Sequence, residues 1–179
     1  MFKAYEISDT MLHNFRVGML SYQFAFHLGL GIETATELLV AGMFHDIGKF
    51  KIDRELLNKP GKLSEKEYEV VKKHLEYSVS ITRALNFDEK IIHLIENHHE
   101  NFDQTGYYNR KPDVPSMIIR MADFYDSLTS NRVYRDAFDR TEALDIMKEN
   151  SNCFEPVLFT QFCMFLEPGI QLNPMAIGF

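Results

Sequence analysis

ETATELLVAGMFHDIGK at residues 33–49 and DEKIIHLIENHHE at residues 88–100 decide how this chain folds. Each is an apolar run with helical spacing that ends on imidazole. Leu38, Leu39, Val40 and Ala41 lead to His45-Asp46, and Ile91, Ile92 and Ile95 lead to His98-His99. Apolar residues recurring three and four apart mark an amphipathic helix. Histidine is favoured at a helix C-terminus, so either doublet alone reads as an ordinary helix end. Read with His13, His74 and Asp123, which also fall in segments of helical pattern, they read as a ligand set. Imidazole with carboxylate, and no thiolate, is the donor mixture that binds catalytic transition metals. Adjacent helical residues point about 100° apart. A doublet therefore suits a site with more than one ion, and Asp46 can bridge two ions with its two oxygens.

Outward from these runs the pattern stays helical. A first helix is expected from about Asp9 to Leu28, with Leu12, Phe15, Met19, Tyr22 and Phe26 as its inner stripe and Gly29-Leu30-Gly31 as its stop. The second covers about 33–45, and Pro60-Gly61 marks a turn. Ser64-Glu65-Lys66-Glu67 is a capping box. It opens a helix to about Leu85 with Tyr68, Val71, Leu75 and Val79 inward. Asp88 caps the helix that reaches His98, residues 101–115 read as a loop, and 117–129 as a buried helix carrying Asp123. Helices over about 141–149 and 155–166 close the chain. Nothing alternates as a strand does. The expected fold is all-α, a single helical bundle of about seven helices forming one domain over residues 1–179.

The chain has 179 residues, 15 Phe and 8 Tyr, enough for one domain with a real core. A net charge of −7 gives no basic face for nucleic acid, so neither DNA nor RNA is an expected partner. An anionic small substrate stays open, because bound divalent ions reverse the local field. Cys153 and Cys163 form no disulfide framework and read as buried reduced thiols, which fits a reducing cytoplasm. No signal peptide or membrane-spanning run is visible, so the expected location is cytoplasmic, with no membrane partner.

Asp9 and His13 are four apart, on one helix face, and extend the ligand set, although Asp9 also reads as an N-cap. A buried Asp123 is costly unless paired or bound to a cation. Asp126, one turn on, reads as a residue that orients a ligand histidine. His27 and His93 have no partners at useful spacing and read as structural or surface residues. Arg132 and Arg135 are three apart and suit phosphate oxygens, or salt bridges to Asp136 and Asp139.

HDIGKFKIDRELLNKPGKLSEKEYEVVKKH (45–74), HHENFDQTGYY (98–108), MADFYDSLTSNRVYR (121–135), FEP (154–156) and His13-Asn14-Phe15-Arg16-Val17 together resemble the HD-domain phosphohydrolases, and more narrowly their HD-GYP subgroup. The resemblance spans nearly the whole chain and implies an HD-domain-type bundle that hydrolyses cyclic di-GMP at two or three divalent metal ions, iron or manganese. It implies His13, His45, Asp46, His74, His98, His99 and Asp123 as metal ligands, with Asp9 where three-metal members carry Glu. It places Lys49 at the scissile phosphate and gives Tyr107, Arg132 and Arg135 the dinucleotide. Asp46 and Lys49 would be the catalytic residues, with a hydroxide between the ions attacking phosphorus in line.

The sequence departs from the pattern in its loop. Tyr108 ends the Gly106-Tyr107 triplet where the subgroup has proline, and Gln104 stands in place of a glycine. Two further readings therefore stay open: a phosphohydrolase for another nucleotide, and a nucleotide-binding signalling module without turnover. No receiver or sensor segment is seen before the motifs, so control is expected from a partner or from expression, and the expected protein partners are a second copy of the chain in a homodimer or a separate regulatory protein.

Overall fold

The computed structural model describes residues 4–131 and 136–167, with side chains from residue 9 onward. Helices run over Ala4–His27 (α1), Gly31–Phe44 (α2), Arg54–Leu57 (α3), Glu65–Lys72 (α4), His74–Ala84 (α5), Glu89–Asn97 (α6), Val114–Thr129 (α7), Arg140–Glu149 (α8) and Pro156–Phe165 (α9). A 3-10 turn spans Ile47–Lys51, and the described residues contain no strand. The all-α expectation holds.

The caps foreseen in the sequence form. Ser64 and Glu67 close a reciprocal capping box, and the Asp88 side chain accepts the Lys90 N–H at the start of α6. Gly29 and Gly31 take φ of 71° and 82°, the left-handed region that stops α1 at little cost.

Four expectations need correction. The helix read as running unbroken to Leu85 is two helices jointed at Lys73, whose N–H donates to the Val70 carbonyl three residues back in a tightened turn. The Val71 carbonyl is then taken by the His74 imidazole. The inner stripe of α1 is also different. Leu12 and Phe15 are 51% and 50% exposed, while His13, Asn14, Val17, Ser21, Phe24 and Ala25 are buried. Hydrophobicity misled here because the inward face carries the polar groups of the site. Tyr68, expected inward on α4, is 45% exposed. Asp9 is not an N-cap, since α1 begins at Ala4.

Close backbone approach aligns the elements. A Cβ on Gly42 would lie 2.5 Å from the Gly18 Cα, so α1 and α2 touch along their main chains. That contact brings His13 and His45 together, ring centroids 5.3 Å apart. A Cβ on Gly48 would lie 2.0 Å from the His74 carbonyl oxygen, and the Gly48 N–H donates to Ser78 Oγ at 2.9 Å. The 3-10 turn is thereby seated on α5, beside His74. An aromatic layer of Phe24, Phe162 and Phe165 joins α1 to α9. Ile118, Ile119, Met121 and Ala122 of α7 fill the centre. Apolar burial of this kind supplies most of the folding free energy.

Candidate metal centre

Three helix ends are built alike. His45 follows the last residue of α2, His98 follows the last residue of α6, and His74 stands at the joint of α4 and α5. The last carbonyls of a helix lack intrahelical donors. Each histidine fills one: Nδ1–H donates at 2.7 Å to the carbonyl three residues back, Gly42 for His45, Val71 for His74 and Ile95 for His98. A carbonyl can only accept, so Nδ1 carries the proton in all three and each Nε2 faces inward. His13 is fixed from another side, its Nδ1–H donating to Asp126 Oδ2 at 2.7 Å. Arg16 clamps the same carboxylate through Nε (2.6 Å) and Nη2 (3.0 Å). Asp126 thus has the orienting role expected of it, with Arg16 as an additional partner that the sequence reading lacked.

The inward atoms gather into two groups. Asp46, His74, His98 and His99 offer one ligand atom each, all within 4.8 Å of one another, and so do His13, His45 and Asp123. Asp46 stands between them. Its Oδ1 lies 3.3 Å from His74 Nε2, while its Oδ2 lies 3.4 Å from His45 Nε2 and 3.7 Å from His13 Nε2. Asp123 Oδ1 lies 3.1 Å from His13 Nε2. Lys49 Nζ donates to Asp46 Oδ2 from three residues on.

The donor chemistry fits divalent cations. His45 Nε2, His98 Nε2 and Asp46 Oδ1 are buried and find no hydrogen-bond partner among the described residues. Buried polar atoms are ordinarily satisfied, so three inward-facing orphans in one cluster are what a cation would complete. His74 and His99 place their Nε2 atoms 3.2 Å apart, two nitrogens turned toward one point.

Charge states agree. Burial alone would push the Asp46 carboxyl up, but Lys49, His45 and His74 hold it well below the usual carboxylate range. Asp123 is likewise held low against its burial by His13 and His45. Burial pushes His98 down to about 3 and also lowers His74 and His99, leaving their nitrogens neutral and free to coordinate. His45 goes the other way, raised to about 10: burial opposes the shift, and Asp46 and Asp123 outweigh it. Without a cation, a protonated His45 answers the two carboxylates.

Asp9 is exposed, one turn before His13, and belongs to neither donor group. Arg132 and Arg135 lie outside the described residues. Tyr107 stacks on His99 with ring centroids 4.4 Å apart and rings inclined by 28°. Lys72 Nζ lies 5.2 Å from the Tyr107 centroid. His27 packs on Phe24 and Phe165, and His93 pairs with Asp113, as expected of structural residues. Cys153 and Cys163 are free and half-buried. No helix among the described residues is long and apolar enough to cross a membrane.

Comparison with known proteins gives a consistent result. A family model described as HD domain matches residues 8–158. The 3'3'-cGAMP-specific phosphodiesterase 1 of Vibrio cholerae is 36% identical over 149 residues, 80% of this chain and 34% of the relative. A cyclic di-GMP phosphodiesterase of Thermotoga maritima is 30% identical over 171 residues, 90% of this chain and 46% of the relative. The chain therefore spans between about a third and a half of the length of these relatives. Among solved structures, Bd1817, a HDG"Y"P protein from Bdellovibrio bacteriovorus, superposes with a TM-score of 0.70 at 21% identity, covering 88% of this chain and 52% of that one. That likeness shows the shared fold.

Proposed function

The chain belongs to the HD-domain family, and from that premise we propose that it is a metal-dependent phosphodiesterase acting on a cyclic dinucleotide, cyclic di-GMP first. The observation that carries this reading is Asp46, one oxygen turned to His74 and the other to His45 and His13. A carboxylate so placed can join two cation sites.

In this reading His13, His45 and Asp123 would hold one divalent ion and His74, His98 and His99 the other, with Asp46 available to both. Nitrogen-rich donors with carboxylates and no thiolate favour iron or manganese. When bound, two such ions would supply phosphate coordination and an acidified water as nucleophile. The protein does the rest. Lys49 directs a fixed positive charge at the phosphate where negative charge accumulates in the transition state. The Asp126 and main-chain bonds to the imidazole Nδ1 atoms keep each Nε2 aimed, so little reorganisation accompanies reaction. Tyr107 offers an aromatic edge beside the cluster. Arg132 and Arg135 are assigned to the nucleotide on resemblance alone.

The experiment is product analysis on protein purified anaerobically with Fe(II) or Mn(II). Linear pGpG or GMP from cyclic di-GMP supports the reading. Turnover confined to 3'3'-cGAMP or another nucleotide would redirect the substrate. Metal-loaded protein that binds a cyclic dinucleotide without product would mark a signalling module.

A further inference from the structure

We propose that Glu100 is the positioning residue of the loop that carries Tyr107, and that its bond to Tyr108 supplies the rigidity that proline would give at that position. The catalytic part of this inference rests on the phosphodiesterase reading; the mechanical part does not.

Glu100 directly follows the ligand doublet and is 0% exposed. A buried carboxylate is costly unless its oxygens are bonded. Both are taken by main chain far along the loop: Oε1 accepts the Tyr108 N–H at 2.8 Å, and Oε2 accepts the Arg110 N–H at 2.7 Å. Asn109, between them, takes a φ of 55°, a left-handed conformation that asparagine tolerates. The loop also rests on Glu100 from the other side. A Cβ on Gly106 would lie 2.5 Å from the Glu100 Cα and 2.9 Å from its Cδ, so only glycine passes there.

Tyr107 is held between these two seats. Gly106 is pressed on the Glu100 backbone and Tyr108 is bonded to the Glu100 carboxylate, which leaves the Tyr107 ring stacked on His99. Proline has no N–H to donate. The Oε1 bond therefore needs only that residue 108 is not proline, and it replaces a covalent constraint on φ with a charged hydrogen bond. The Tyr108 ring adds a second tie, with the Arg110 guanidinium 4.7 Å from its centroid.

The test compares wild type, Glu100→Ala, Tyr108→Pro and the double variant, all metal-loaded. Amide hydrogen exchange is read across residues 101–113, with α1 and α7 as internal controls for folding. Exchange of the Tyr108 and Arg110 amides in Glu100→Ala should be roughly ten- to hundredfold faster than in wild type, the scale of a lost charged hydrogen bond. Loop amides other than that of residue 108 carry the comparison for Tyr108→Pro. That substitution should loosen them only slightly when Glu100 is present and should restore part of the lost protection in the Glu100→Ala background, a coupling that a merely structural disturbance would not produce. With cyclic di-GMP as probe, Glu100→Ala should raise KM several-fold more than it lowers kcat and leave the metal count unchanged. Unchanged exchange in Glu100→Ala, or additive effects of the two substitutions, would overturn the proposal. Wild-type protein that neither binds nor cleaves cyclic di-GMP would overturn the functional reading instead, while exchange would still decide the clamp.

Discussion

His13 Nδ1 and Asp126 Oδ2 lie 2.7 Å apart, a bond that ties α1 to α7 behind the donor cluster and aims the opposite nitrogen at Asp123. Carboxylate–histidine pairs of this kind fix the tautomer and raise the basicity of a ligand. Asp126→Asn keeps the shape and removes the charge. Metal affinity should fall by about ten- to hundredfold, measured by competition with a chromogenic chelator. Arg16→Ala, which frees Asp126 without removing it, should cost less. Unaltered affinity in Asp126→Asn would remove His13 from the ligand set.

Gly48 sets the distance between Asp46 and His74. A methyl group there would meet the His74 carbonyl at 2.0 Å and the Ser78 nitrogen at 2.6 Å, both main chain that cannot swing aside. Gly48→Ala should destabilise the fold by about 1–3 kcal/mol or more, the scale of overpacking a tight contact. Urea denaturation reads the stability, and the same sample should hold less metal. An alanine variant with wild-type midpoint and metal content would show that the 3-10 turn is not seated on α5.

These two cases show where the sequence was readable. His45, His98 and Asp123 lie in or at the ends of strongly apolar helices, so helical pattern alone placed them. Asp126 was legible as one turn beyond a ligand. The buried face of α1 was not, because Val17, Ser21, Phe24 and Ala25 are interleaved with His13 and Asn14 while the bulky Leu12 and Phe15 face outward. Gly18, Gly42 and Gly48 gave no sign of their contacts, since close backbone approach depends on a partner helix. Glu100 stood beside the doublet in plain view, but its partners are main-chain N–H groups, which no side-chain pattern reveals.

The metal-free protein should be most stable near pH 6.5. His98, ordinarily near 6.5 and pushed by burial to about 3, stays neutral in the fold while the unfolded chain takes a proton. Its contribution is present above about pH 6.5 and is lost as pH falls, and lowered His74 and His99 act the same way. The limiting slope is about 1.4 kcal/mol per pH unit for each histidine. His45, raised to about 10 by Asp46 and Asp123 against burial, contributes below about 6.5 and loses that contribution as pH rises through 10, with raised His13 in the same sense. Loading a cation must expel the His45 proton. Calorimetry of metal binding at pH 7 in buffers of different ionisation heat should register proton release. Heats that do not differ between buffers, beyond buffer–metal effects, would contradict a protonated His45.

Lys49 touches Asp46 and its side chain is partly exposed, whereas that of Asp46 is buried. Lys49→Met should lower kcat on cyclic di-GMP by about 10²–10³, the scale for losing one preorganised electrostatic donor, with metal content retained. Loss of metal together with rate would make Lys49 a structural partner of Asp46 instead.

Two cation sites joined through Asp46 are the core of the account, and counting metal by mass spectrometry in protein loaded anaerobically with Fe(II) or Mn(II) tests them most directly. The account predicts two ions per chain in the wild type, because Asp9 stands outside both donor groups, and none firmly held in Asp46→Ala. A wild-type protein that emerges empty, or an Asp46→Ala variant that keeps both ions, would contradict it.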